Sequence, residues 1–346
     1  MNDQKSLESS KDLHPERYDE SLFRRAYKAG LELRKLNERD RKKKLIFQIA
    51  GGIVGLILVV GSIIYISNNR SPKYTKPEVF VTEQDIYVNS PARIYSFENL
   101  NPEISAQSIL SFNPDSGQIY FFKDVDTRRQ IASLTKLMTA IVAMDNMDLD
   151  EVITVNEIPL YGEDEIWSME LQKGDKVRVE DLLKMMLISS YNDAAIVLAE
   201  SLGSEEFISL MNEKALLLDL KDTHFSNPCG FDSAENYSSA NDLRKIVTTF
   251  LKYPTLADMA GNSSSEVEYI REGEGVKKVV YTTNSLLENE FVKGIKTGYT
   301  EDAGRCLITL FEYENNERLV NILLNSDDRY EDTEVIEGDI RDQLYW

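Results

Sequence analysis

The stretch IASLTKLMTA, Ile131 to Ala140, places a serine three residues ahead of a lysine where a helical pattern begins. After Ser133, the apolar Leu134, Leu137, Met138, Ile141 and Val142 recur at helical spacing. That spacing predicts a helix with Ser133 in its first turn and Lys136 on the same face. Free N–H groups and the positive dipole end of a first turn favour a developing oxyanion. A serine hydroxyl is a weak nucleophile until a neighbouring base takes its proton. A lysine can be that base once burial or nearby positive charge has made it neutral. The same residues also read as a capping serine followed by a surface lysine. Taken alone, the pair decides nothing.

The rest of the chain narrows the choice. With 346 residues, 42% of them hydrophobic, it has ample length to bury a core without covalent staples. Two cysteines, Cys229 and Cys306, make no disulfide framework. A single bridge between them stays open, beside the plainer reading of two small buried apolar side chains. The only histidines are His14 and His224, which excludes most histidine-rich zinc sites and leaves His224 as the one partner for a Ser-His-Asp scheme.

One segment stands apart. LIFQIAGGIVGLILVVGSIIYIS, Leu45 to Ser67, carries no charge over 23 residues, enough for a helix to cross roughly 30 Å of hydrocarbon. It lies too far from the N-terminus and is too long for a cleaved signal peptide. Residues 1–44 hold thirteen Lys or Arg, ending in RDRKKK, whereas the flank NNRSPKYTKPE has three. The asymmetry predicts a single-pass anchor with the N-terminus in the cytoplasm and the rest outside the cell membrane. Beyond the tail stand 26 basic and 50 acidic residues, a net charge of −24. So acidic a region is a poor nucleic-acid binder.

The pattern divides the chain into a cytoplasmic tail (1–44), a transmembrane helix (45–67), an extracytoplasmic linker with four prolines (68–103) and a globular domain (104–346). In the domain, SILSFNPDSGQIYFFKD reads as strand, turn, strand. VEDLLKMMLISS, SSYNDAAIVLAESLG and SEEFISLMNEKALLLDL read as helices. GIKTGYT, RCLITLFEY and RLVNILLNS read as late strands. Strands on both sides of a block of helices predict an α+β fold, an antiparallel sheet with a helical cluster.

Two further stretches lift the serine–lysine pair above coincidence. SSYNDAA contains Ser190-Tyr191-Asn192 at a helix start, and GIKTGYT contains Lys296-Thr297-Gly298 on a strand. S-x-x-K, S-x-N and K-T-G in this order mark penicillin-binding proteins and related β-lactamases. The chain holds no second S-x-x-K and no second K-T-G. Together with SGQIYFFKDVDTRRQIASLTKLMTA, LLKMMLISSYNDAAIVLAE, NPCGFD, YSSANDL, TNSLL and VKGIKTGYTEDAGRCLI, the motifs make residues 104–335 resemble the D-alanyl-D-alanine carboxypeptidases. These are the low-molecular-mass penicillin-binding proteins of the S11 serine peptidase family.

The resemblance implies a serine β-lactamase/penicillin-binding protein-like fold, with no metal and no cofactor. It also implies roles. Ser133 is the nucleophile toward the penultimate D-Ala carbonyl of peptidoglycan stem peptides, and Lys136 is its base. Ser190 and Lys296 relay the proton to the departing D-Ala, with Lys296 as the positive neighbour that lowers the Lys136 pKa. Asn192 orients the substrate amide. Backbone N–H groups of Ser133 and Tyr299 form the oxyanion hole. Thr297 bonds the substrate carboxylate, Gly298 leaves room for substrate along the strand, and Arg329, in the loop-like SDDRYEDT, clamps the carboxylate. β-Lactams become covalent inhibitors. Tyr299 stands where members often have histidine after K-T-G, and Cys229 stands where N-P-H-G is common. His224 reads as structural. The catalytic domain is expected to end the chain, with the N-terminal helix in place of a C-terminal anchor. A β-lactamase, a transpeptidase and a non-catalytic wall-binding scaffold remain as alternatives. The first needs a water-activating carboxylate, for which residues after Asn192 offer no counterpart.

Overall fold

The computed structural model describes residues 104–156 and 168–344. The expected tail, membrane span and linker (1–103) lie outside the described residues. Among those described, no helix is long and apolar enough to cross a membrane.

In chain order the elements begin with β1 (Ser108–Phe112) and β2 (Ile119–Lys123). A 3-10 turn (Ala132–Thr135) leads straight into α1 (Lys136–Asn146). Then come β3 (Val152–Thr154), β4 (Lys176–Arg178), α2 (Val179–Ile188), α3 (Asn192–Leu202) and α4 (Ser204–Leu217). They are followed by α5 (Ala240–Phe250), α6 (Pro254–Gly261), β5 (Ser264–Arg271) and β6 (Glu274–Tyr281). A second 3-10 turn (Ser285–Glu288), β7 (Val292–Thr300), β8 (Gly304–Glu312), β9 (Arg318–Ser326) and α7 (Arg329–Leu344) complete the domain.

The β1–β2 hairpin forms where NPDSG stops the apolar runs. Asn113 Oδ1 accepts from the N–H groups of Asp115 and Ser116, and Gly117 takes a φ of 72°. The five-stranded sheet has the order β2-β1-β9-β8-β7, with antiparallel pairing throughout. Alternation splits its side chains between two cores. Leu110, Ile308, Leu310, Val320 and Ile322 join the large core that holds α1, α2, α3 and α5. Ile109, Leu307, Phe311, Leu319 and Leu323 face Ile336 and Ile340 of α7. Burying each such aliphatic side chain contributes roughly 1.5–3 kcal/mol.

The α+β class holds, with three differences from expectation. A second antiparallel sheet, β3-β4-β5-β6, adds four strands. Its β5–β6 hairpin is dominated by charged residues and packs inward mainly through Val267, Tyr269 and Val280, too few for a conspicuous pattern. Ser133 sits in a 3-10 turn, not in the first turn of an α-helix. At three residues per turn, positions i and i+3 eclipse, which brings Ser133 under Lys136. SDDRYEDT is not a loop throughout: Arg329 opens α7, behind Asp328, whose Oδ1 accepts from the N–H groups of Tyr330 and Glu331.

Candidate active site

The serine turn is held from three sides. Ile131, Leu134 and Leu137 are buried beneath it, and Ala132 takes a left-handed φ of 46°. Gly230, at φ +90°, lies so close that a Cβ there would sit 1.8 Å from the Ala132 carbonyl oxygen. Gly298 of β7 closes the third side. A Cβ there would meet the Ile131 carbonyl oxygen at 3.0 Å and Ser133 N at 3.2 Å. The approach of the serine turn is thus one reason for a glycine at 298.

Lys136 is fully buried, yet all three hydrogen-bonding directions of its amine are used. Nζ lies 2.7 Å from Ser133 Oγ, 2.7 Å from Asn192 Oδ1 and 2.8 Å from the Cys229 carbonyl oxygen. A neutral amine has two N–H bonds and one lone pair. With the N–H groups directed to Asn192 and Cys229, the lone pair faces the Ser133 hydroxyl. Burial pushes the Lys136 pKa down to about 8, against the pull of Cys229 and the Asp193 carboxylate. Burial, rather than the charge of Lys296, is the largest cause of this lowering. Lys296 is itself held well below the usual lysine range by burial, then by the charges of Lys136 and Arg329. Its Nζ donates to the Thr297 carbonyl at 3.1 Å.

The second motif lies between two helices. Ser190 has a φ of 62°, a strained conformation for a residue with a Cβ, and Asn192 opens α3. Among the described residues, the Ser190 hydroxyl bonds none of the other motif side chains. The neighbouring Asp193 is buried and accepts from Ser168 Oγ at 2.7 Å and from the N–H groups of Met169 and Leu171. This fixes segment 168–171 against the start of α3.

On the third motif, Thr297 is buried and its Oγ1 lies 2.6 Å from Thr283 Oγ1. Tyr299 is 60% exposed, with the Arg305 guanidinium 5.9 Å from its ring centre. Arg329 reaches the same strand. Its Nη1 donates to the Gly298 carbonyl at 2.8 Å, and its guanidinium stacks 4.9 Å from the Tyr330 ring centre.

Sequence reasoning missed four contributors. The Cys229 carbonyl is a backbone atom, invisible to any residue-type motif. It is presented by a loop that Asn227 Oδ1 folds, accepting from the N–H groups of Cys229, Gly230 and Phe231. Gly230, Asp193 and Thr283 sat in quoted stretches (NPCGFD, SSYNDAA and TNSLL), but nothing local marked their roles. Cys229 and Cys306 are both buried and unbridged, and burial pushes the Cys229 thiol up to about 12. His224 lies in a two-strand bridge, paired with Tyr237 and with Nδ1 2.6 Å from the Glu235 carbonyl oxygen.

Known proteins resemble this chain in sequence and fold. The chain is similar to the D-alanyl-D-alanine carboxypeptidase DacF of Bacillus subtilis (strain 168), 33% identical over 230 residues. That alignment covers 64% of this chain and 57% of the relative, so the chain spans little more than half of that protein's length. Among solved structures, the Streptomyces K15 DD-transpeptidase superimposes with a TM-score of 0.63 at 27% identity, covering 69% of this chain and 97% of that one. Penicillin-binding protein D2 from Listeria monocytogenes in its ampicillin-bound form gives 0.60 at 26% identity, covering 69% and 98%. The family model described as D-alanyl-D-alanine carboxypeptidase matches residues 96–328, from ahead of β1 to the threshold of α7. With a match of that extent laid over the buried lysine and its serine, the chain belongs to the D-alanyl-D-alanine carboxypeptidase family, Peptidase S11.

Proposed function

We propose that the protein is a membrane-anchored serine-type D-Ala-D-Ala carboxypeptidase, which trims the terminal D-Ala from peptidoglycan stem peptides through an acyl-enzyme on Ser133. The observation that carries this reading is the Lys136 amine, buried and neutralisable, 2.7 Å from Ser133 Oγ with its other directions satisfied.

Ser133 Oγ attacks the carbonyl carbon of the penultimate D-Ala as its proton passes to Lys136 Nζ. The carbonyl oxygen takes up negative charge between the N–H groups of Ser133 and Tyr299. The C–N bond then breaks, and the proton leaves Lys136 for the amine of the terminal D-Ala by way of Ser190, with Lys296 beside the path. Asn192 serves twice in this scheme, holding Lys136 and orienting the substrate amide. Thr297 and Arg329 receive the free carboxylate, which explains a preference for the C-terminal residue. Water then attacks the ester carbon as Lys136 takes its proton; the C–Oγ bond breaks, and Lys136 returns the proton to Ser133 Oγ, releasing the shortened peptide.

Residues 45–67 would hold this domain at the outer face of the cell membrane, with residues 1–44 in the cytoplasm. A transpeptidase reading is favoured by one observation, the fold match to a protein named as a DD-transpeptidase. The acyl group would then pass to an amine instead of water.

Mass spectrometry of the penicillin-treated protein tests the reading, together with an assay of D-Ala release from a pentapeptide. The expected result is a stable penicilloyl adduct on Ser133 and release of D-Ala, both lost in Ser133→Ala. Rapid penicillin turnover would point to a β-lactamase. A stable adduct without D-Ala release, but with transfer to an added amine, would point to a transpeptidase. No adduct at all would leave a scaffold.

A further inference from the structure

Thr283 lies outside all three motifs, yet its polar groups reach the elements that carry them. Its N–H donates to the Ile188 carbonyl at 3.2 Å, at the end of α2 just ahead of Ser190. Its hydroxyl lies 2.6 Å from Thr297 Oγ1 on the K-T-G strand. Its carbonyl accepts from Tyr330 Oη at 2.9 Å, and Tyr330 Oη also accepts from Arg329 Nη2 at 3.2 Å. One half-buried residue thus ties together the end of the helix that precedes the second motif, the third motif and the arginine.

We propose that Thr283 is a positioning residue that sets the direction of the Thr297 hydroxyl and so prepares the site for a carboxylate. The inference rests on the reading above, in which Thr297 receives the free carboxylate of the acyl donor. A threonine hydroxyl has a single proton to give. Between Thr283 and Thr297 one proton lies in the shared bond. If Thr297 supplies it, Thr297 can only accept from other groups and turns a lone pair toward an incoming anion. If Thr283 supplies it, the Thr297 proton is free to point at the carboxylate. A bound carboxylate selects the second order, and a chain of hydrogen bonds ending on an anion strengthens along its length. Because both backbone polar groups of Thr283 are engaged, its hydroxyl is held in place for this purpose. The lysines and Ser133 take no part, so acyl transfer from a donor without a carboxylate should not depend on it.

The test compares Ser133 acylation by benzylpenicillin, which carries the carboxylate, with acylation by N-acetyl-D-alanine p-nitrophenyl ester, which has none. Thr283→Val keeps the shape and removes the hydroxyl; Thr283→Ser keeps the hydroxyl. Expected for Thr283→Val is an about tenfold slower penicillin acylation, with ester acylation within about twofold of wild type. Thr283→Ser should recover the penicillin rate to within about threefold of wild type. An unchanged penicillin rate in Thr283→Val overturns the proposal. So does an equal fall for both donors, which would make Thr283 a general support of the fold, or a failure of Thr283→Ser to recover the rate. If the wild-type protein is acylated by neither donor, the functional reading fails first and the proposal with it. The wild-type arm and the variant ratio therefore report the two separately.

Discussion

Lys136 Nζ lies 2.7 Å from Ser133 Oγ, at the junction where a 3-10 turn becomes α1. The lysine is fully buried, and its remaining acceptors are one side-chain amide and one backbone carbonyl, neither of them charged. No carboxylate touches the amine, and burial outweighs the pull of the Asp193 carboxylate nearby, which favours the neutral form a base requires.

The pH dependence follows with a definite sign. Lys136 is lowered by burial to about 8, and only its neutral form accepts the serine proton. Penicillin acylation should therefore rise with pH through about 8 and level off above it. Lys136→Arg cannot deprotonate in this range and should lower acylation by about 10²–10⁴-fold with no such rise. Stopped-flow acylation across the pH range checks both. A rate that falls as pH rises through this region would falsify the base assignment.

Asn192→Asp places a carboxylate where an amide oxygen now meets Lys136 at 2.7 Å. The opposite charge favours the protonated lysine, so its pKa moves up. Acylation at neutral pH should fall, and the rising limb of the profile should shift to higher pH by about one unit or more. An unshifted limb, measured on the same penicillin reaction, would show that Asn192 does not face the amine.

Gly230 and Gly174 form a matched pair. Both have positive φ, +90° and +95°, but only at Gly230 would a Cβ strike backbone, 1.8 Å from the Ala132 carbonyl oxygen. Gly174 has nothing within 4 Å of the same position. Gly174→Ala should cost about 1–2 kcal/mol of stability, from the left-handed backbone alone, and leave acylation intact. Gly230→Ala should cost more and displace the serine turn, with acylation lost well beyond the loss of stability. Thermal unfolding combined with adduct formation separates the two effects.

Cys229 contributes to the site through its carbonyl, and its buried thiol, pushed up to about 12, stays protonated. Cys229→Ala should keep kcat/KM for D-Ala release within a few-fold. The smaller side chain leaves a void in the core, at a cost of about 1–2 kcal/mol in unfolding free energy. Loss of activity far beyond this, with the fold intact, would assign the sulfur a part of its own.

Much of the scaffold was legible because its signals are local. The turn NPDSG names its own hairpin, since the Asn113 side chain folds back on the next backbone N–H groups. Leu134, Leu137, Met138 and Ile141 announce α1 by spacing, and all four are buried. The β5–β6 hairpin was illegible because most of its residues face solvent, and only its pairing across the chain makes it a sheet. The start of α7 at Arg329 was illegible for a similar reason. It is docked by Ile336 and Ile340 against the back of the five-stranded sheet, while acidic residues dominate its length.

By itself the sequence determined that Ser133 and Lys136 share one turn, because three residues of chain cannot separate them far. It also determined the order and type of the three motifs. Only the tertiary structure decided what that lysine is chemically. Its lowered pKa depends on burial beneath elements distant in the chain, and its direction depends on Asn192, 56 positions on, and on the Cys229 carbonyl, 93 positions on. The same holds for Thr297, whose hydroxyl meets Thr283 only because β7 lies beside the segment that leaves β6. A side chain's protonation and hydrogen-bond direction are set by the groups that replace water around it, and no local pattern records which groups those will be.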